Sequence, residues 1–431
     1  MKIKNIKKLL GISAIPVAAL ALAACQPGAS AGDTTVQVSQ ADADPTQTNE
    51  SAATDPEKKE LYHLKVAYSP SLCQAPLHIA VENGFFEEEG IDAENIQVEA
   101  AHVAEAIGAD QVDVGFGLIG KFLQPIENGL NIKFTAGIHT GCIKLLAPAD
   151  SGIKTVADLK GKKIGVTGLA AAETIVTKRA LAAENISFDE KAPEVEFVVF
   201  TGAELGQALE NKAVDVIALP DPNASQFAQQ YGLETIIDTA TTDQFRDEYC
   251  CGAFVTEKLA TEHPEIAAAF TRAVLKAAVW VNENPEEAAR IQIDKKYVAG
   301  DAEFNANVLK SYNYIPSVQG GYDAISLSVS QLTDIGLLKE GTDAKTFADN
   351  AYLFFVGGEV PDTYSPSEVT NVQHKSNASK TVNANTAEND KDCCEEEEKE
   401  KEKETEECCA EKETETIKDC CEEDHGTDDQ K

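Results

Sequence analysis

Along residues 61–357 the hydrophobic positions change period repeatedly. Short apolar runs alternate with stretches in which apolar residues recur every three or four positions. The short runs predict strands at 64–68 (L-K-V-A-Y), 96–100, 112–115, 132–138, 163–166 (K-I-G-V), 196–200 and 214–218. The longer amphipathic stretches predict helices at 76–88, 121–128, 170–185 and 202–211. From Glu262 onward the pattern is helical only, at 264–282, 285–297, 301–311 and 322–337. Strands separated by helices in this way predict parallel sheets covered on both faces, so the class is α/β with a helical C-terminal section.

The flanks break this pattern. Lys2, Lys4, Lys7 and Lys8 precede an uncharged apolar run at 9–22 that contains Gly11 and Pro16. At about 14 residues it falls short of the roughly 20 that a membrane-spanning helix needs, and it reads as a signal peptide over residues 1–24. It ends in Leu22-Ala23-Ala24-Cys25, which resembles the bacterial lipobox. The resemblance implies lipidation of Cys25 as the mature first residue and a membrane anchor outside the cytoplasm, palmitate-type acyl chains holding the protein. The competing reading is an ordinary signal peptide beside an unmodified cysteine. Residues 25–60, rich in Ala, Ser, Thr, Gln and Asp, lack periodicity and read as a flexible linker. Residues 358–431 turn polar and then acidic, an expected disordered tail with three adjacent cysteine pairs.

Composition narrows the function. The formal net charge of -36 leaves no basic patch for a phosphate backbone, which excludes nucleic acid as a partner. Residues 388–431 carry 21 acidic against 7 basic residues, and the remainder is still strongly negative.

The run Y-S-P-S-L-C-Q-A-P-L-H-I-A-V-E-N-G-F-F-E-E-E-G-I (68–91) is similar to the opening of ABC-transporter substrate-binding lipoproteins of the nitrate, taurine and thiamine-pyrimidine transport families. S-G-I-K-T-V-A-D-L-K-G-K-K-I-G-V (151–166), H-P-E-I-A-A-A-F (263–270) and N-P-E-E-A-A (284–289) resemble later segments of those proteins in the same order. The resemblance covers about residues 64–355. It implies a type II periplasmic-binding-protein fold, two lobes with a ligand cleft and hinge. Lobe one would be 61–147 plus 252–357, and lobe two 148–251. The implied function is capture of a small molecule or metal chelate for an ABC importer permease, without catalysis.

In such α/β sheets ligands bind where loops follow the carboxyl ends of strands. That selects Ser69, Cys73, Gln74, Ala75 and Pro76 after the first strand; His102; Gly117 and Leu118; and Thr140, Gly141 and Cys142. In lobe two it selects Thr167, Gly168, Ala170 and Ala171 before a helix whose N-terminal N–H groups carry partial positive charge, and Asp221 and Asn223 in a turn. No arginine falls in these loops and Lys144 is the nearest cation, which disfavours an anionic solute.

Cys73, Cys142, Cys250 and Cys251 all lie in predicted cleft loops or the second crossover. Three readings stay open: thiolate ligands for a soft metal ion with His102 or His139, a disulfide, or plain packing. The tail pairs Cys393-Cys394, Cys408-Cys409 and Cys420-Cys421, with His425, offer thiolates beside carboxylates, so a soft metal is the one cofactor that sequence raises. Two rival functions follow: a metal-scavenging or sensing lipoprotein, and a pyrimidine-synthase-like enzyme, to whose C-C-C-F-C stretch Cys250-Cys251-Gly252-Ala253-Phe254 bears only a partial likeness.

Overall fold

The computed structural model describes residues 60–369; Cys25 and the tail cysteines lie outside them. Ten strands are present among the described residues: β1 (Tyr62–Tyr68), β2 (Ile91–Gln97), β3 (Val114–Leu118), β4 (Ile132–Thr140), β5 (Ile143–Pro148), β6 (Lys163–Val166), β7 (Glu196–Val199), β8 (Val216–Pro220), β9 (Leu233–Asp238) and β10 (Tyr249–Thr256). They form two five-stranded sheets, β2-β1-β3-β10-β4 and β7-β6-β8-β5-β9.

Helices α1 (Ala75–Glu82), α2 (Phe85–Glu88), α3 (Val103–Gly108) and α4 (Ile119–Glu127) accompany the first sheet, and α5 (Ala172–Ala183), α6 (Leu205–Glu210) and α7 (Asn223–Tyr231) the second. After β10 the chain is helical: α8 (Glu257–Glu262), α9 (Pro264–Glu283), α10 (Pro285–Asp294), α11 (Ala302–Ser311), α12 (Val318–Asp334), α13 (Ala344–Ala351) and α14 (Pro366–Val369). No described helix is long and apolar enough to cross a membrane.

The two-lobed α/β architecture is as expected, but the sheets are mixed, not parallel. β10 runs antiparallel to both β3 and β4, and β5 antiparallel to both β8 and β9. Each is the strand by which the chain enters a sheet from the other lobe, and no crossover helix precedes it. Both are covered on two faces, so neither shows the alternation that marks a half-buried strand. β2 begins five residues before its expected start, because Ile91 is its buried anchor while the rest of this edge strand is largely polar. The helix expected at 76–88 divides at Gly84, whose φ of 79° is left-handed.

Sheet membership puts the lobe crossings at 141–142 and 239–248, a few residues before the expected boundaries at 147/148 and 251/252. The fold also continues past 357, where the tail was expected to start. Asp362 accepts hydrogen bonds from the Ser317 hydroxyl and the Gln319 N–H, and Val369 is buried. One close approach fixes the helical section against the first sheet: α12 lies on β4 where Gly321 meets Gly137. That contact sets the end of β4, from which the site is built.

Candidate functional site

Between the lobes is a cavity of about 370 Å³, within the usual size of small-molecule sites. Of the expected ligand residues, Ser69, Cys73, Gln74, Gly117, Leu118, Asp221 and Asn223 line it. Ala75 and Pro76 are buried at the start of α1 behind it. Gln74 is committed to the fold, its side-chain carbonyl accepting from the Ser69 N–H at 2.8 Å. Ser71 donates to the Asp221 backbone carbonyl at 3.4 Å, so the two lobes touch at the cavity rim.

Lobe two departs from expectation at Thr167–Ala171. Thr167, Gly168, Ala170 and Ala171 do not line the cavity, and both donors of Thr167 are already taken. The Glu173 carboxylate, almost fully buried in the first turn of α5, accepts from both the Thr167 N–H (3.0 Å) and the Thr167 hydroxyl. An internal carboxylate therefore occupies the partial positive charge that was expected to meet a solute. Burial raises the Glu173 pKa, with the Thr167 bonds opposing. A raised carboxyl pKa stabilises the fold at low pH, and that contribution is lost as pH rises through the folded value. Glu173→Gln is thus expected to gain stability relative to the parent between pH 4 and pH 8. Glu173→Ala should lose about 1–3 kcal/mol by orphaning the Thr167 donors. Urea unfolding at several pH values checks both, and a pH-independent Gln effect would contradict the first.

The cations also differ from the sequence reading. Lys144 does not line the cavity; it is buried against Asp238 at 2.6 Å and Asp221 at 3.6 Å. Lys121, which sequence did not single out, lines the cavity and donates to the Ala100 carbonyl. Glu99, Phe116, Phe122, Gln226 and Val298 complete much of the wall. Gln226 and Lys121 escaped notice because they sit inside helices, one turn beyond the strand-end loops. His102 stands exposed beside Glu105 and is no part of any cysteine group.

The cysteines converge. Donor atoms of Cys73, His139, Cys142 and Cys251 all lie within 4.8 Å of one another, and all four residues are buried. Cys250 joins them, its Sγ 3.3 Å from Cys142 Sγ, 3.7 Å from Cys251 Sγ and 3.5 Å from His139 Nδ1. All four thiols are free. Neighbouring residues of a regular strand point to opposite faces, yet Cys250 and Cys251 share this site. A bulge resolves this: Tyr249 pairs with Thr140 and Cys251 with His139, leaving Cys250 as the extra residue on β10.

Gly141, at φ 74°, makes the matching bend on the other crossover, where any side chain would strike Ala240. Thr140 closes β4 and holds Asn313 through its hydroxyl at 3.0 Å. Thr239 ties the two crossovers together, its hydroxyl oxygen accepting from the N–H groups of Cys142 and Ile143 at 3.1 and 3.0 Å.

Electrostatically the thiols are unequal. Its hydrogen bond with Cys250 is the main influence pushing Cys142 up to about 11. For Cys250 burial pushes upward, but hydrogen bonds from Cys142 and Cys251 outweigh it and bring the thiol to about 6. Burial holds Cys251 well above the usual thiol range. His139 Nε2 is buried without a hydrogen-bond partner among the described protein atoms, and so is the Tyr312 hydroxyl, whose ring stacks on His139 at 5.3 Å.

A protein of Bacillus subtilis (strain 168), provisionally named an aliphatic sulfonates-binding protein, is 28% identical over 308 residues, covering 68% of this chain and 88% of its own. A protein of Aspergillus parasiticus named 4-amino-5-hydroxymethyl-2-methylpyrimidine phosphate synthase is 26% identical over 241 residues, covering 52% of this chain and 68% of its own. The crystal structure of the periplasmic nitrate-binding protein NrtA from Synechocystis PCC 6803 superposes with a TM-score of 0.59 over 68% of this chain and 86% of its own. At 16% identity this match speaks to the fold alone. The family model described as NMT1/THI5 like matches residues 73–288, which span most of both lobes and every core cysteine, and the chain belongs to that family.

Proposed function

We propose that this protein is the extracytoplasmic solute-binding component of an ABC importer, held to the membrane through Cys25 and handing a small solute to a permease. The observation that carries the reading is the 370 Å³ cavity at the strand ends between two lobes, walled by residues of both. Hinge closure over a solute would give the permease a distinct state to engage. The binding proteins among its relatives support capture over catalysis.

The wall favours a neutral or cationic heterocycle over an oxyanion. One lysine, already bonded to Ala100, shares the wall with Glu99, while Phe116 and Phe122 offer apolar ring surface and Asn223 and Gln226 offer amides. A thermal-shift comparison of an aminopyrimidine, an alkanesulfonate and nitrate is expected to raise the melting temperature with the aminopyrimidine most. Gln226→Trp, which fills the cavity from α7, should abolish the shift. A shift by nitrate or sulfonate alone would overturn the solute class, and a shift that survives Gln226→Trp would overturn the site.

A further inference from the structure

The geometry points to a buried tetrahedral metal site, built from the thiolates of Cys73, Cys142 and Cys251 and a ring nitrogen of His139, for a thiolate-preferring divalent ion such as zinc. Three thiolates and one imidazole are the donor set that structural zinc takes, and oxygen-seeking ions such as magnesium or calcium find no carboxylate in it. With zinc–sulfur bonds of about 2.3 Å, ligand atoms at the corners of a tetrahedron stand roughly 3.8 Å apart. The present spread of up to 4.8 Å needs only side-chain adjustment to reach that.

Plain packing does not account for the same group. Four free thiols and an imidazole whose Nε2 lacks a partner are gathered in one place, by a bulge at Cys250 and a left-handed glycine at 141. Both are backbone features that serve to aim side chains. On binding, the three ligand thiols lose their protons to solvent and the imidazole binds in its neutral form. Cys250, its Sγ 3.3 Å from Cys142 Sγ, stands beside that ligand as an outer-shell neighbour. Entry is available from two sides, since Cys73 lines the large interlobe cavity and Cys250 a second interlobe cavity of about 50 Å³.

The ligands come from separate parts of the hinge. Cys73 belongs to the first cleft loop, His139 to the end of β4, Cys142 to the first crossover, and Cys251 to β10 where the second crossover enters it. A bound ion would staple both crossovers to the loop that lines the solute cavity, tying metal occupancy to lobe closure. This goes beyond solute capture and does not depend on which solute binds.

The test uses the full chain with its six tail cysteines changed to serine, purified without oxygen and titrated with cobalt(II). Expected are one ion per chain, intense tetrahedral d–d bands with thiolate charge transfer in the near ultraviolet, and displacement by zinc. Cys142→Ser and His139→Gln should each weaken binding by more than about a hundredfold, the upper range for an outer-shell change. If those variants fail to fold, the cobalt spectrum of the intact cluster decides alone. A weak octahedral spectrum, no uptake, or a Cys142–Cys250 disulfide recovered by peptide mapping would each overturn the site. Because the aminopyrimidine thermal shift is read without metal, either result can fail without the other.

Discussion

Gly321→Ala is expected to destabilise the protein by about 3 kcal/mol, although alanine is the better helix former. Propensity alone favours alanine by up to about 1 kcal/mol inside a helix. Here the added Cβ would lie 2.2 Å from the Gly137 backbone nitrogen, 2.7 Å from the Ala136 carbonyl carbon and 2.8 Å from the Tyr352 hydroxyl oxygen. The two nearest of these are backbone atoms of β4 and cannot rotate away. Relief requires moving α12 off the strand, and overpacking of this kind costs about 1–3 kcal/mol and occasionally more. The displaced strand carries His139 and Thr140, so solute and metal binding should weaken with it. Gly108→Ala, with nothing within 4 Å of the added atom, is the control and should be neutral or slightly stabilising. Urea midpoints of the two variants check this; equal midpoints would mean that the close approach of α12 and β4 is wrong.

Lys144→Met is expected to cost about 3–5 kcal/mol, the range for removing one partner of a buried ion pair. The Asp221 side chain has no exposed surface and Lys144 is 10% exposed, so loss of the ammonium strands a carboxylate that water cannot reach. Asp238, 19% exposed and 2.6 Å from Lys144, is better able to find solvent and should contribute less of the loss. Adding Asp221→Asn to the methionine variant should recover part of the stability, because the neutral amide removes the stranded charge. If Lys144→Met costs under about 1 kcal/mol, the triad is screened as a surface pair would be.

The alternation of strands and amphipathic helices made the α/β class and the two lobes legible, because those patterns report which face of each element is buried. It did not reveal β5 or β10, which are buried on both faces and carry no period. The loops around Ser69, Gly117 and Asp221 were legible because cavities form at strand ends. Lys121 and Gln226 were not, since nothing in a helix distinguishes the one residue that faces a cleft. The gathering of four cysteines was legible only as a suspicion. Adjacent cysteines look incompatible until a bulge is known, and bulges leave no sequence mark as plain as Asn-Gly leaves for a hairpin. Glu173 taught the converse: the helix N-terminus was correctly located, but a carboxylate two positions into α5 had already claimed it.

The central claim, that the interlobe cavity holds one small solute, is tested most directly by native mass spectrometry of the protein and its Gln226→Trp variant with the aminopyrimidine, alkanesulfonate and nitrate probes. One aminopyrimidine per chain in the parent and none in the variant is the predicted result. Equal occupancy in both proteins would contradict it, placing the bound molecule somewhere other than between the lobes.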